Sequence, residues 1–260
     1  MVEWVLKTGQ NKWDLFTSHA AAVLGNVELL QKMDKFWNSD CCSGAAKGGH
    51  LEALKWLREN GCNWDQETCL VAAHKGHLEI LKWAREHGCA WSHRVCELAA
   101  QEGHLEVLEW ASEHGCPLDG AKACFLAASR GHLEILKWLR ERGCIWDERT
   151  CIWAANGGHL EVLKWAREHG CPWSEKICRM AAKEGYLEVL KWARENGCDW
   201  NERTLAIAAE TGRFPVVIWM REHGCPWGAS VTRKASRAGH HELLKWLIAE
   251  GCPYKKSRKE

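Results

Sequence analysis

One string governs this chain: Gly-His-Leu-Glu-x-Leu-Lys-Trp, followed a few residues later by Gly-Cys, returns almost from end to end. Its leading Gly stands at 49, 76, 103, 131, 158, 185, 212 and 239, so every interval is 27 residues except one of 28. The Gly-Cys pairs keep the same step, from Gly61-Cys62 to Gly251-Cys252. A fixed period of this size means stacked units, each of which buries its apolar face only against its neighbours. Such a chain offers a long surface rather than a pocket, which points to binding before catalysis.

Composition narrows the class. Of 260 residues, 46% are apolar and 27% charged, values of a globular rather than a disordered chain. The net charge of +1 comes from interleaved acids and bases, so no electrostatic footprint for a nucleic-acid backbone is expected. The tail Lys255-Lys256-Ser257-Arg258-Lys259 is the exception; it reads as a solubilising end, with a nuclear address as the alternative. No run of about 18 apolar residues exists, so no membrane span is expected. The start Met1-Val2-Glu3-Trp4 has no basic and apolar regions of a secretory signal.

The repeat also accounts for the fifteen cysteines. Eight follow the repeating Gly, six (Cys42, Cys69, Cys96, Cys124, Cys151 and Cys178) precede an Ala pair, and Cys41 is left over. Equivalent sites in stacked helices lie about 8–10 Å apart, beyond the roughly 7 Å between Cα atoms that a disulfide spans. Same-site bridges are therefore excluded. An odd count without a secretory signal points to a reducing compartment, and the cytoplasm is the expected location.

The unit from Trp146 to Trp173 predicts two helices. Asp147 stands as an N-cap, with Ser92, Ser174 and Asn201 at the same site elsewhere, and Glu148 in the first turn suits the helix dipole. The first helix runs through Thr150-Cys151-Ile152-Trp153-Ala154-Ala155 to Gly157-Gly158; its small Ala pair marks it as the crowded inner helix. The second runs from about His159 to Glu168 and ends at Gly170, a left-handed C-cap. At 100° per residue, Leu160, Val162, Leu163, Trp165 and Ala166 share an apolar arc, with Trp165 at one edge and Arg167 near the other. Stacking should then set each unit's Arg on its neighbour's helix Trp, a ladder through Trp56, Trp83, Trp110, Trp138, Trp165, Trp192, Trp219 and Trp246. A second Trp, as at Trp64, Trp91, Trp146, Trp173, Trp200 and Trp227, reads as a wedge beneath the turn. Trp83, Trp91, Trp138, Trp146, Trp165, Trp173 and Trp192 are accordingly assigned to the structural core.

The segment Ala72-Ala73-His74-Lys75-Gly76-His77-Leu78-Glu79-Ile80-Leu81-Lys82 and its seven counterparts resemble ankyrin repeats, over about residues 18–254. Gly88-Cys89-Ala90-Trp91-Ser92 stands where that family has Gly-Ala-Asp-Val-Asn. The units are shorter than the usual ankyrin length of about 33 residues, and the deficit falls between Trp91 and Cys96, where the family builds its β-hairpin. The resemblance therefore implies an all-α solenoid of antiparallel helix pairs with the hairpins lost. It is similar to the short Trp- and Cys-rich arrays of giant DNA viruses and some protists, which implies a host–virus role. Residues 1–40 hold a worn repeat around Ala21-Ala22-Val23-Leu24-Gly25 and read as an N-terminal cap; 41–254 read as eight repeats, and 255–260 as a tail.

Comparing the units separates scaffold from variable surface. The site after the pre-Ala cysteine varies without pattern (Leu70, Glu97, Phe125, Ile152, Arg179), as does the pair after Ala-Ala (His74-Lys75, Gln101-Glu102, Ser129-Arg130). The site between them is mostly apolar (Val71, Leu98, Leu126, Trp153, Met180, Ile207) and reads as core. The expected partner-binding strip, on the concave inner-helix side, is Leu70, His74, Glu97, Gln101, Phe125, Arg130, Ile152 and Arg179, with Phe125 and Ile152 between Arg130 and Arg179 as its hot spot. The His-Gly-Cys triplets at 87–89, 114–116, 169–171 and 223–225 raise a zinc alternative. Asn60 and Asn196 replace the His, and Leu205 and Thr232 replace the second Cys, which is the behaviour of packing rather than ligation. Tyr186 and Arg213 likewise stand in for the His of Gly-His, which a catalytic base would not allow. No phosphate loop, nucleophile elbow or His-Glu-x-x-His motif occurs. The expectation is a non-enzymatic, monomeric scaffold with no cofactor or metal, binding a protein partner and neither nucleic acid nor membrane. A structural or decoy array without a partner is the competing class.

Overall fold

Asp147 lies in extended backbone and its carboxylate accepts the N–H of Arg149 at 2.9 Å, opening the helix Glu148–Asn156. That helix ends where Gly158 turns left-handed (φ 75°), with His159 N–H bonded to Ala154 O at 2.9 Å. The second helix, Leu160–Glu168, closes the same way: Gly170 has φ 80°, and Cys171 N–H reaches Ala166 O at 2.9 Å. Asp65 caps as Asp147 does, accepting Glu67 N–H, and Asn201 accepts Thr204 N–H in a reciprocal capping box. Ser92 and Ser174 depart from expectation. Their helices begin at Arg94 and Lys176, and His93 and Glu175, already right-handed, make no side-chain cap bond. The serine carbonyls close the first turn instead, accepting Val95 N–H at 3.0 Å and Ile177 N–H at 3.1 Å.

A computed structural model describes residues 14–33 and 36–254. These fall into two compact units, residues 1–119 and 120–260, divided at the place where the interval is 28 rather than 27 residues. The first unit contains α1 (Leu15–Val23), α2 (Val27–Lys32), α3 (Ser39–Gly48), α4 (Leu51–Glu59), α5 (Gln66–Lys75), α6 (Leu78–Glu86), α7 (Arg94–Glu102) and α8 (Leu105–Glu113). The second contains α9 (Gly120–Arg130), α10 (Leu133–Glu141), α11 (Glu148–Asn156), α12 (Leu160–Glu168), α13 (Lys176–Glu184), α14 (Leu187–Glu195), α15 (Glu202–Glu210), α16 (Phe214–Glu222), α17 (Ala229–Arg237) and α18 (His241–Ala249). Among the described residues there is no strand, and no helix is long and apolar enough to cross a membrane. The basic tail at 255–259, Trp4 and Trp13 lie outside the described residues.

Within each unit the odd-numbered first helices stack directly, α1 on α3, α5 and α7 in turn, and α9 on α11, α13, α15 and α17 in turn; each also packs on its own second helix. The Ala pairs explain this closeness. Ala72, Ala73, Ala154, Ala155, Ala181 and Ala182 are wholly buried, and their small side chains let helix backbones approach. Leu54, Leu81 and Leu108 fill the first unit's interior, and Leu136, Leu163 and Leu190 the second's.

The Gly-His signature ties neighbouring repeats together. His104 Nε2 donates to His74 O at 3.1 Å, His159 to Ser129 O at 3.1 Å, and His240 to Glu210 O at 3.0 Å, each reaching 30 residues back to the end of the preceding first helix. Arg213 performs the same task, its Nε donating to Lys183 O at 3.0 Å. The position therefore asks for a donor at the right reach.

Candidate binding face

The helical wheel of α11 fixes which side of a first helix remains open. Thr150, Cys151, Ala154 and Ala155 share one arc and are fully buried, while Arg149, Ile152, Trp153 and Asn156 occupy the other. Arg149 and Trp153 are exposed, Trp153 at 42%; Ile152 and Asn156 are half-buried. The same division holds along the stack. It corrects the assignment of Val71, Leu98, Leu126, Trp153, Met180 and Ile207 to the core: all are half-buried or exposed. The Cys and Ala positions already occupy the packing arc, so the apolar residue two positions after the cysteine is turned outward.

The expected strip divides accordingly. Leu70, 2% exposed, and Glu97, 6% exposed, are buried and offer no surface to a partner. Glu97 Oε1 stays within 3.7 Å of His93 Nε2. His74 and Gln101 are half-buried, His74 being 3.7 Å from Glu102. In the second unit Arg130 is exposed, and Phe125, Ile152 and Arg179 are half-buried. Phe125 stacks on Trp153 with ring centroids 6.5 Å apart, and the Arg149 guanidinium lies 4.8 Å over the Phe125 ring.

The other side carries a different ladder from the one expected. The arginine in the last turn of these second helices lies over the loop Trp of its own repeat rather than over a neighbour's helix Trp: Arg58 on Trp64 at 4.2 Å, Arg85 on Trp91 at 4.2 Å, Arg140 on Trp146 at 4.2 Å, and Arg194 on Trp200 at 4.5 Å. The turn is the cause. The Gly-Cys loop curls under the helix end, so the arginine Nη1 donates to the cysteine carbonyl, as Arg85 does to Cys89 O at 2.6 Å, and its plane settles on the Trp beyond. The loop Trp then meets the next repeat's helix Trp edge-on, as Trp64 meets Trp83 with centroids 5.6 Å apart, and Trp83 stacks on His87 at 4.3 Å. Among the described residues a helix Trp receives a guanidinium only at Trp138, from Arg142 at 4.3 Å. Trp138 and Trp146 are buried; Trp83, Trp91, Trp165, Trp173 and Trp192 are half-buried between these stacked groups.

Arg194→Ala is expected to destabilise the protein by about 1–2 kcal/mol, from one cation–π contact and one carbonyl hydrogen bond. In a Trp200→Leu background the loss should shrink by about 0.5–1 kcal/mol. Urea unfolding of the four proteins of this cycle measures the difference, and an unchanged Arg194 effect would show that the stacking contributes nothing.

The thiols are brought together in a way their spacing did not announce. Cys42 and Cys62 have sulfurs 3.5 Å apart, and Cys69–Cys89, Cys96–Cys116, Cys151–Cys171 and Cys178–Cys198 repeat the pairing. The Cys42 thiol donates to the Cys62 sulfur, while Cys178 Sγ donates to Cys198 O at 3.7 Å; in each pair the interaction between the two thiols, with burial, pushes the helix thiol's pKa up and holds the loop thiol's below the usual value. Burial is the main cause that pushes Cys124 and Cys225 up to about 12. The histidines of the His-Gly-Cys triplets turn elsewhere: His87, His114, His169 and His223 each bond through Nδ1 to the Trp carbonyl four residues back, at 2.8 Å. Among the described residues no group of three or more His, Cys, Asp or Glu could hold a metal ion.

Comparisons with known proteins agree with this architecture. Residues 93–140 match the family model described as ankyrin repeats (many copies). Among solved structures, the chain is similar to the human ASB11 ankyrin repeat domain, at 22% identity and a TM-score of 0.52, over 61% of this chain and 84% of that one. No curated protein matches the chain significantly. At such identity the structural likeness is one of fold. Residues 93–140 thus match ankyrin-repeat sequence, and the stacked helix pairs share the fold of an ankyrin repeat domain.

Proposed function

We propose that this protein is a non-catalytic scaffold that binds another protein through the open face of its first helices. Ankyrin repeats are in general protein–protein interaction scaffolds, and stacked repeats provide extended surfaces for that purpose. The observation that carries the reading is Trp153. A Trp at 42% exposure, stacked on Phe125 and in line with half-buried Leu126, Met180 and Ile207, is a large apolar group left uncovered in water. Ile152, Arg130 and Arg179 complete the patch, and His74 and Gln101 are the corresponding positions of the first unit. The resemblance to arrays of giant DNA viruses makes a host protein, met in the cytoplasm by a monomeric chain, the partner within this reading.

Affinity capture from cell extract with the wild type and with Phe125→Ser/Trp153→Ser provides the test. The wild type is expected to retain specific proteins that the double variant loses, while both melt at similar temperatures. Identical captured sets would overturn the reading and leave a structural array without a partner.

A further inference from the structure

The near-zero net charge of the chain conceals an uneven distribution. In the first helices of the second unit (α9, α11, α13, α15 and α17) ten Lys and Arg stand against four Asp and Glu, a surplus of six positive charges. Every second helix of that unit is neutral, and the first helices of the first unit carry one surplus negative charge. The basic surplus therefore belongs to one face of one unit.

The four acids of that face are already engaged. Glu148 pairs with Lys176 at 2.6 Å, Glu184 with Lys183 at 2.9 Å, Glu210 with Lys234 at 2.5 Å, and Glu202 accepts from Ser230 Oγ at 2.5 Å. Among the described residues Arg130, Arg179, Arg203, Arg233 and Arg237 form no ion pair, and none of them is buried. What remains is arginine, whose fork grips carboxylates in a bidentate fashion. Through the middle of this basic field runs the apolar row Leu126, Trp153, Met180 and Ile207, one residue from each of four successive stacked helices. Helix spacing sets the members of the row about 8–10 Å apart.

We infer that this face takes an acidic protein segment whose apolar side chains recur about every 10 Å. The inference rests on the scaffold reading above and specifies its partner. Carboxylates of the segment would meet the unpaired arginines, and its apolar side chains would cover the row, giving the combination of desolvated anchors and charged rim found at interfaces. A nucleic acid would use the charges but leave Leu126, Met180 and Ile207 uncovered, so the apolar row favours protein.

A random peptide library displayed on phage, selected on the full chain, tests this. Enriched peptides are expected to combine an excess of Asp and Glu with at least two large apolar residues. The most enriched peptide, made synthetically, should bind about tenfold or more weakly to Trp153→Ser/Met180→Ser. It should also weaken about tenfold with Arg179→Glu/Arg203→Glu, with a flatter dependence on salt. Circular dichroism melts check that both variants stay folded. Neutral or basic winners that still need Trp153 would overturn the acidic specification and leave the scaffold reading standing. Winners indifferent to both variants would overturn both. A selection that enriches nothing overturns the inference, as does an oligothymidylate that binds while no acidic peptide does.

Discussion

Leu163→Ala is expected to lower stability by about 2–5 kcal/mol, the range for emptying a closed leucine site. Leu163 lies in α12 with no exposed surface. Removing its side chain leaves a cavity that backbones held by hydrogen bonds along the helices fill only in part. Because each repeat is stabilised mainly by its neighbours, the loss should not stay local; the second unit should unfold at lower urea concentration as a block. Glu161→Ala on the same helix is the control. Glu161 is exposed and pairs only with Lys164 at 2.9 Å, a surface i,i+3 contact of about 0.5 kcal/mol or less. Equal urea midpoints for the two variants would show that Leu163 is not the interior residue its burial makes it.

Gly76→Ala should cost about 2–4 kcal/mol, more than an exposed turn glycine would, because two penalties coincide. Gly76 has φ 75°, a left-handed conformation that costs an L-residue about 1–2 kcal/mol. A Cβ there would also lie 2.5 Å from His104 Nδ1 and 2.7 Å from Cε1 of the same ring. The imidazole would have to swing away and surrender its 3.1 Å bond to His74 O, the link between consecutive repeats. Gly88 offers the contrast, since it has φ 82° but no atom within 4 Å of the added carbon. Gly88→Ala should therefore show only the backbone part of the penalty. In a His104→Ala background the Gly76→Ala cost should fall toward that of Gly88→Ala. Thermal melts of these variants read the difference, and identical costs at Gly76 and Gly88 would remove the steric argument.

The repeat made most of the fold legible before any coordinates. Helix boundaries near Glu148, Asn156, Leu160 and Glu168 follow from caps and glycines, which are local chemistry, and the absence of strands among the described residues follows from the missing hairpin segment. The open face of the first helices was less legible. The apolar series Leu126, Trp153, Met180 and Ile207 passes for core when hydrophobicity alone is weighed. The signal that could have found it was present: the wheel of the first helix puts Cys151, Ala154 and Ala155 on one side and Arg149, Trp153 and Asn156 on the other. Small residues there outweigh large ones because close helix contact admits nothing larger. The local charge surplus was hidden in the same way, since it shows only when helices are counted by the face they share.

The linear chain dictated whatever depends on neighbours a few residues apart: the 27-residue period, the helix pairs, the left-handed glycine stops and the interior of Leu, Ala and Cys. It left open which groups from different turns would meet. Arginines chose the loop Trp of their own repeat over a neighbour's helix Trp, thiols 20 residues apart came into contact, and Leu70 went inside while Trp153 stayed out. Those outcomes turn on ångström-scale distances between helices and loops. A periodicity of 100° per residue specifies the direction in which a side chain leaves its helix, but not what stands opposite when the helices pack.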